Sequence, residues 1–102
     1  MEEFGLTYKK EGTTLIVEPK GRLDTATSPE MERRLQPELA GMRDVIMDFT
    51  AVDYISSGGL RALLNIDQQM EEKGGGLKLI HVNEYIMEIF EMTGFSDLVP
   101  AE

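Results

Sequence analysis

The sequence predicts an α/β domain: a mixed, mostly parallel β-sheet of four to five strands with about three α-helices packed on it. Three observations carry that expectation. Apolar runs of strand length, LTYKK (6–10), LIVEPKGRL (15–23), DVIMDF (44–49) and LKLIHV (77–82), are separated after the first pair by longer segments of helical period. Only the first two runs are joined by a link short enough for a hairpin, EGTT. The runs at 44–49 and 77–82 are almost unbroken in apolar character, as expected of strands reached by crossover connections and covered by helices. At 102 residues the chain is expected to form one domain, 1–102, that buries about 60–65% of its unfolded surface.

Taken in order, the second run alternates. Leu15, Val17 and Leu23 share one face while Glu18, Lys20 and Arg22 occupy the other, the period of a half-solvated strand. Pro19 cannot donate to a ladder, which predicts an edge or a bulge. Ser28 before Pro29 reads as a helix start, followed by a stripe of Met31, Leu35 and Leu39. Pro37 predicts a kink or stop near Leu35. DVIMDF reads as a central strand covered on both faces. A second helix runs from about Ser57 to Lys73, with Leu60, Leu63, Leu64, Ile66 and Met70 on one arc and Arg61, Asn65, Gln68 and Glu72 opposite. Asp67 falls on the apolar arc and is expected to reach water. Gly74, Gly75 and Gly76 end this helix, and LKLIHV follows as another buried strand. Asn83 is expected to cap a third helix striped by Ile86, Ile89, Phe90 and Thr93 and closed by Gly94, with a short strand at Leu98 and Val99.

Composition narrows function. Nineteen acidic residues against ten basic ones give a net charge of −9, which repels a phosphate backbone and argues against nucleic acid as a partner. The same field favours a basic protein surface. No apolar run approaches the ~20 residues of a membrane span, and MEEFGLTYKK lacks the layout of a secretory signal, so no membrane association and a cytoplasmic location are expected. The absence of cysteine excludes disulfides, thiolate metal sites and cysteine nucleophiles.

No cofactor, metal site or enzyme activity is read from the residues. Ser56 and Ser57 do not sit in a G-x-S-x-G elbow, and the one histidine, His81, lies in an apolar strand as a satisfied or strand-edge imidazole. SSGGLR offers glycine amides at a helix start but lacks the spacing of either nucleotide-binding glycine motif. The acid pairs Glu2/Glu3 and Glu71/Glu72 read as solvated surface, and Met87 and Met92 as core or helix-face residues. Ser57 is open to two readings, a plain helix cap or a regulated hydroxyl.

The residues Asp48, Phe49, Thr50, Val52, Tyr54, Ile55, Ser56, Ser57, Gly59 and Leu60 together resemble the signature of the STAS domain, and within it the bacterial anti-sigma-factor antagonists. DFTAVDYISSGGLRALL is similar to that family's strand, loop, acceptor serine and helix. GRLDTATSPEMERRL (21–35) is similar to its turn into the first helix, and EYIMEIFEMTGFSDLV (84–99) to its last helix. The resemblance implies partner switching. An unmodified antagonist binds an anti-sigma factor that is also a serine kinase of the histidine-kinase-like ATPase type and frees the sigma factor; phosphorylation breaks the complex, and a metal-dependent serine phosphatase resets it. Carried over by position, the acceptor is Ser57. Many members have aspartate where this chain has Ser56, which makes Ser56 the second choice, and serine, threonine or alanine at Gly58.

The partner-binding surface is expected at Asp24, Thr25, Ser56, Ser57, Gly58, Gly59 and Arg61, because the loop after the second strand and the start of the second helix should be adjacent. Arg61 either pairs with a partner acid or is an ordinary solvated charge. Two other readings stand beside this one. A STAS scaffold without a phosphoswitch would serve a lipid transporter or a stress-signalling assembly, and a small-ligand or nucleotide sensor would use the glycine-rich turn.

Overall fold

The computed structural model describes residues 4–102. Glu2 and Glu3 lie outside the described residues. The chain runs β1 (Gly5–Glu11), β2 (Thr14–Leu23), α1 (Thr27–Leu35), a 3₁₀ turn (Gln36–Leu39), β3 (Asp44–Asp48), β4 (Val52–Ile55), α2 (Ser57–Glu71), β5 (Leu77–Ile80), α3 (Glu84–Thr93) and a second 3₁₀ turn (Phe95–Asp97). The expected class holds: five strands form a mixed sheet, with three α-helices.

β2 organises that sheet. It pairs antiparallel with β1 across the hairpin, Leu6 opposite Pro19 and Lys10 opposite Leu15. On its other side the first half pairs in parallel with β3 through Leu15–Val45 and Val17–Met47, and the last residues pair with β4 through Gly21–Val52 and Leu23–Ile55. The register shifts between Gly21 and Arg22. Pro19, with no amide to donate, sits in the gap between the two parallel pairings of a central strand; there is neither an edge nor a bulge at Pro19 itself, and the irregularity falls two residues later. β5 completes the sheet beside β3, Val45 opposite Leu77.

Burial along β2 follows the predicted alternation, with Leu15, Val17, Pro19, Gly21 and Leu23 buried and Glu18, Lys20 and Arg22 exposed. β3 corrects the expectation of two covered faces: Val45 and Met47 are buried, whereas Asp44, Ile46 and Asp48 are only partly so. The helices therefore complete one core on one face of the sheet, joining Met31, Leu35, Leu63, Ile66, Met70, Ile86 and Phe90 to the strand residues.

Helix ends were read unevenly. α1 stops at Leu35, and Pro37 turns the next residues into the 3₁₀ segment that buries Leu39. Its start is not Ser28, however. The helix begins at Thr27, and Ser28 lies inside its first turn, 2% exposed, with no hydrogen-bond partner for its hydroxyl. Asn83 caps α3 as expected, accepting from the Ile86 amide at 2.8 Å, and Gly94 closes it at φ +78°. Met87 is half-buried and Met92 is an exposed face residue. β5 ends at Ile80 because His81 turns out of the strand at φ +58°. The expected strand at Leu98–Val99 is absent; the tail instead forms the 3₁₀ turn and one parallel bridge, Leu79 to Ala101.

Asp67 departs most from expectation. It is 5% exposed, and its carboxylate accepts the Leu77 amide at 3.0 Å, tying the C-terminal part of α2 to the first residue of β5. The Glu71 carboxyl one turn on is raised above its ordinary pKa by its hydrogen bond to Asp67. Burial of the acid is tolerated because it satisfies an otherwise orphan amide. Asp67→Leu should lower stability by about 2 kcal/mol by leaving that amide unpaired, and Asp67→Asn, which keeps an acceptor, by less; urea midpoints measure the difference.

Candidate functional site

β2, β4, α1 and α2 bring the predicted site residues to one corner. The Ser56 amide donates to the Leu23 carbonyl at 2.9 Å, so the residue leaving β4 is held to the end of β2. α2 then starts at once, and its first turn sits directly on the strand ends. A Cβ added at Gly59 would lie 2.7 Å from both the Leu23 carbonyl oxygen and Ile55 Cγ1. One at Gly58 would lie 3.0 Å from Thr25 Cγ2. Gly59 is thus required by close approach to backbone, whereas Gly58 sits tightly against the Thr25 side chain.

The two serines divide the work that the sequence left undecided. Ser56 is the cap: half-buried and extended, its hydroxyl oxygen accepts the Gly59 amide at a long 3.4 Å. Ser57 is the first helical residue and is exposed, and its hydroxyl has no hydrogen-bond partner among the described residues. Gly58 is half-buried, Gly59 is buried, and Arg61 is exposed. Gly59, one of the residues expected at the contact surface, is thus the most buried of them. It lies beneath the surface and shapes it by taking no space.

The facing loop is built around Asp24. One oxygen of its carboxylate accepts the amides of Ala26 (3.0 Å) and Thr27 (2.9 Å), and the other lies 3.7 Å from the Arg22 guanidinium. The Thr27 hydroxyl accepts the Asp24 amide at 2.9 Å and donates to the Arg22 carbonyl at 2.6 Å. Arg22 in turn lies 4.0 Å over the Tyr54 ring. The Thr27 and Ala26 amides, in that order, hold the Asp24 carboxyl below its ordinary pKa. Asp24 thus braces its own loop, and Thr25 is left exposed at the tip.

Sequence reasoning missed Arg22, Thr27 and Tyr54. The Asp24-x-x-Thr27 spacing was the available signal, because a side-chain acceptor three residues before a helical amide is a capping pattern. Between the loop and α2 lies a shallow cleft of about 210 Å³ lined by Thr25, Ser28, Pro29, Glu32, Gly58 and Arg61.

His81 belongs elsewhere. Its Nδ1 lies 3.0 Å from Asp48 Oδ1, which also accepts the Thr50 amide and hydroxyl. Desolvation raises the Asp48 carboxyl, but the Thr50 and His81 hydrogen bonds outweigh it and leave the pKa lowered. Among the described residues no cluster of three or more His, Asp or Glu side chains is placed to hold a metal ion, and no helix is long and apolar enough to cross a membrane.

The fold and this corner define a small α/β domain whose distinctive surface is a hydroxyl-bearing helix start beside a braced loop. The chain belongs to the STAS domain family, whose profile matches residues 6–102. Among curated relatives it is 33% identical over 96 residues to BtrV of Bordetella bronchiseptica, named as a candidate anti-sigma factor antagonist, covering 93% of this chain and 83% of that protein. It is 25% identical to the anti-sigma-B factor antagonist of Bacillus subtilis, covering 94% and 88%. A crystal structure of a candidate anti-sigma factor antagonist from Thermotoga maritima superposes with a TM-score of 0.87 at 20% identity, over 94% of this chain and 84% of that one.

Asp24 supplies a test by pH. Its folded-state pKa is depressed, so its contribution to stability is present above the unfolded value of about 4 and is lost as pH falls through the lower folded value. Asp24→Asn keeps the acceptor oxygen and removes the charge. Thermal unfolding followed from pH 6 to pH 2 should fall less steeply in the variant than in the parent protein.

Proposed function

We propose that the protein is a cytoplasmic anti-sigma-factor antagonist, its residues 1–102 acting as one unit, that works by partner switching at Ser57. In its unmodified form it binds an anti-sigma factor that is also a serine kinase of the histidine-kinase-like ATPase type, and so releases the sigma factor. Transfer to Ser57 then ends the interaction: its Oγ bonds to the γ-phosphorus of ATP, the bond to the β-phosphate oxygen breaks, ADP leaves, and the hydroxyl proton passes to the kinase's base. A metal-dependent serine phosphatase restores the hydroxyl. The names of the curated relatives support this reading.

The observation that carries it is the state of the Ser57 hydroxyl. It is exposed on the first turn of α2 with no partner of its own among the described residues, while the adjacent Ser56 performs the capping that would otherwise explain a serine here. A phosphate on Ser57 adds a charge of about −1.5 to −2 at the positive end of the helix dipole, where the free protein tolerates it. Beneath a partner the same group must be desolvated. A difference of ~3 kcal/mol between the two states weakens binding by roughly two decades. The net charge of −9 favours a basic docking surface on the partner.

Incubation with ATP and the serine kinases of the histidine-kinase-like ATPase type from its own genome, followed by mass spectrometry, should place one phosphate on Ser57; Ser56→Ala should keep it and Ser57→Ala lose it. In binding measurements Ser57→Ala should hold the complex and Ser57→Asp weaken it at least tenfold. Equal affinities for the two variants would instead indicate a scaffold without a switch. A phosphate on neither serine would overturn the proposal.

A further inference from the structure

The cleft beside the first turn of α2 holds a cation that makes no ion pair among the described residues. The cation is Arg61, exposed in a chain with nineteen acids to ten bases. Glu32 lines the same cleft but is not within ion-pair distance of it. Arg22, the other guanidinium at this corner, is taken up by Asp24 and the Tyr54 ring.

Arg61 stands four residues after Ser57 on one continuous helix. Residues at that spacing share a face, with Cβ atoms about 5–6 Å apart. Side chains on a helix lean toward its N-terminus, so a long side chain covers the turn that precedes it. Arg61 also lines the cleft, together with Gly58, the neighbour of Ser57 in the first turn, and Thr25 of the facing loop.

We propose that Arg61 is the intramolecular receptor of the Ser57 phosphate, an inference that rests on the reading of Ser57 as the acceptor. In the unmodified protein the guanidinium is free to meet a carboxylate on the partner. After modification its planar fork takes two phosphate oxygens within its own helix. Phosphorylation then acts on the docking surface twice, by adding negative charge and by withdrawing a cation from it.

The test uses the full chain with phosphoserine placed at position 57 during translation, so that no kinase is needed. Titration of the phosphate by ³¹P NMR should show a second pKa lower by about half a unit with Arg61 than in Arg61→Gln, with Arg61→Lys between them. The helix amides and dipole are common to all three proteins and cancel. Superimposed titration curves for the parent and Arg61→Gln would overturn the pairing. That failure differs from failure of the functional reading, in which no kinase modifies Ser57 while the installed phosphate still titrates with Arg61.

Discussion

The corner that defines this protein depends on a distance of closest approach. The first turn of α2 rests on the ends of β2 and β4 so tightly that one methyl group at Gly59 would come within 2.7 Å of a backbone carbonyl and of Ile55. A carbonyl oxygen in a paired strand cannot move aside as a side-chain tip can. Residue 59 therefore has to be glycine for the helix to start where it does, and that start sets which hydroxyl faces inward as a cap and which faces out.

The longer-range architecture serves the same corner. β2 is long enough to pair with β3 and then, past a proline and a shift of register, with β4. Its last residue, Leu23, consequently receives the Ser56 amide and also leads straight into the Asp24 loop. Both walls of the cleft hang from one strand end, so their separation is fixed by sheet geometry rather than by contacts across the surface. Asp24 holds its wall in shape with hydrogen bonds made within its own loop, which leaves Thr25, Ser57 and Arg61 facing outward.

Much of this was legible in the sequence where a local rule and the tertiary fold agree. Alternation along β2, the stop imposed by Pro37, the Asn83 cap and the αL glycine after α3 each follow from a preference that nothing else contradicts. β4 was not read as a separate strand, because four residues with Asp53 and Tyr54 among them give too short a pattern, and its pairing exists only because β2 extends past β3. Asp67 was misread because burial of an acid depends on an amide ten residues away that no periodicity records. The structure brings the candidate residues to one corner, as the expected adjacency of the two loops implied, but which serine caps the helix was not legible. Ser56 and Ser57 look alike in a list of residues, and only backbone conformation separates an extended cap from a first helical residue.

The contrast between the two glycines tests the close seating of α2 directly. Gly59→Ala should lower the thermal unfolding midpoint by roughly 5–15 °C, since it presses on backbone. Gly58→Ala should lower it less, since its new methyl group meets at 3.0 Å the Thr25 side chain, which can turn away, and the nearest backbone atom, Thr25 Cα, only at 3.3 Å. A Gly59→Ala protein as stable as its parent would contradict the account.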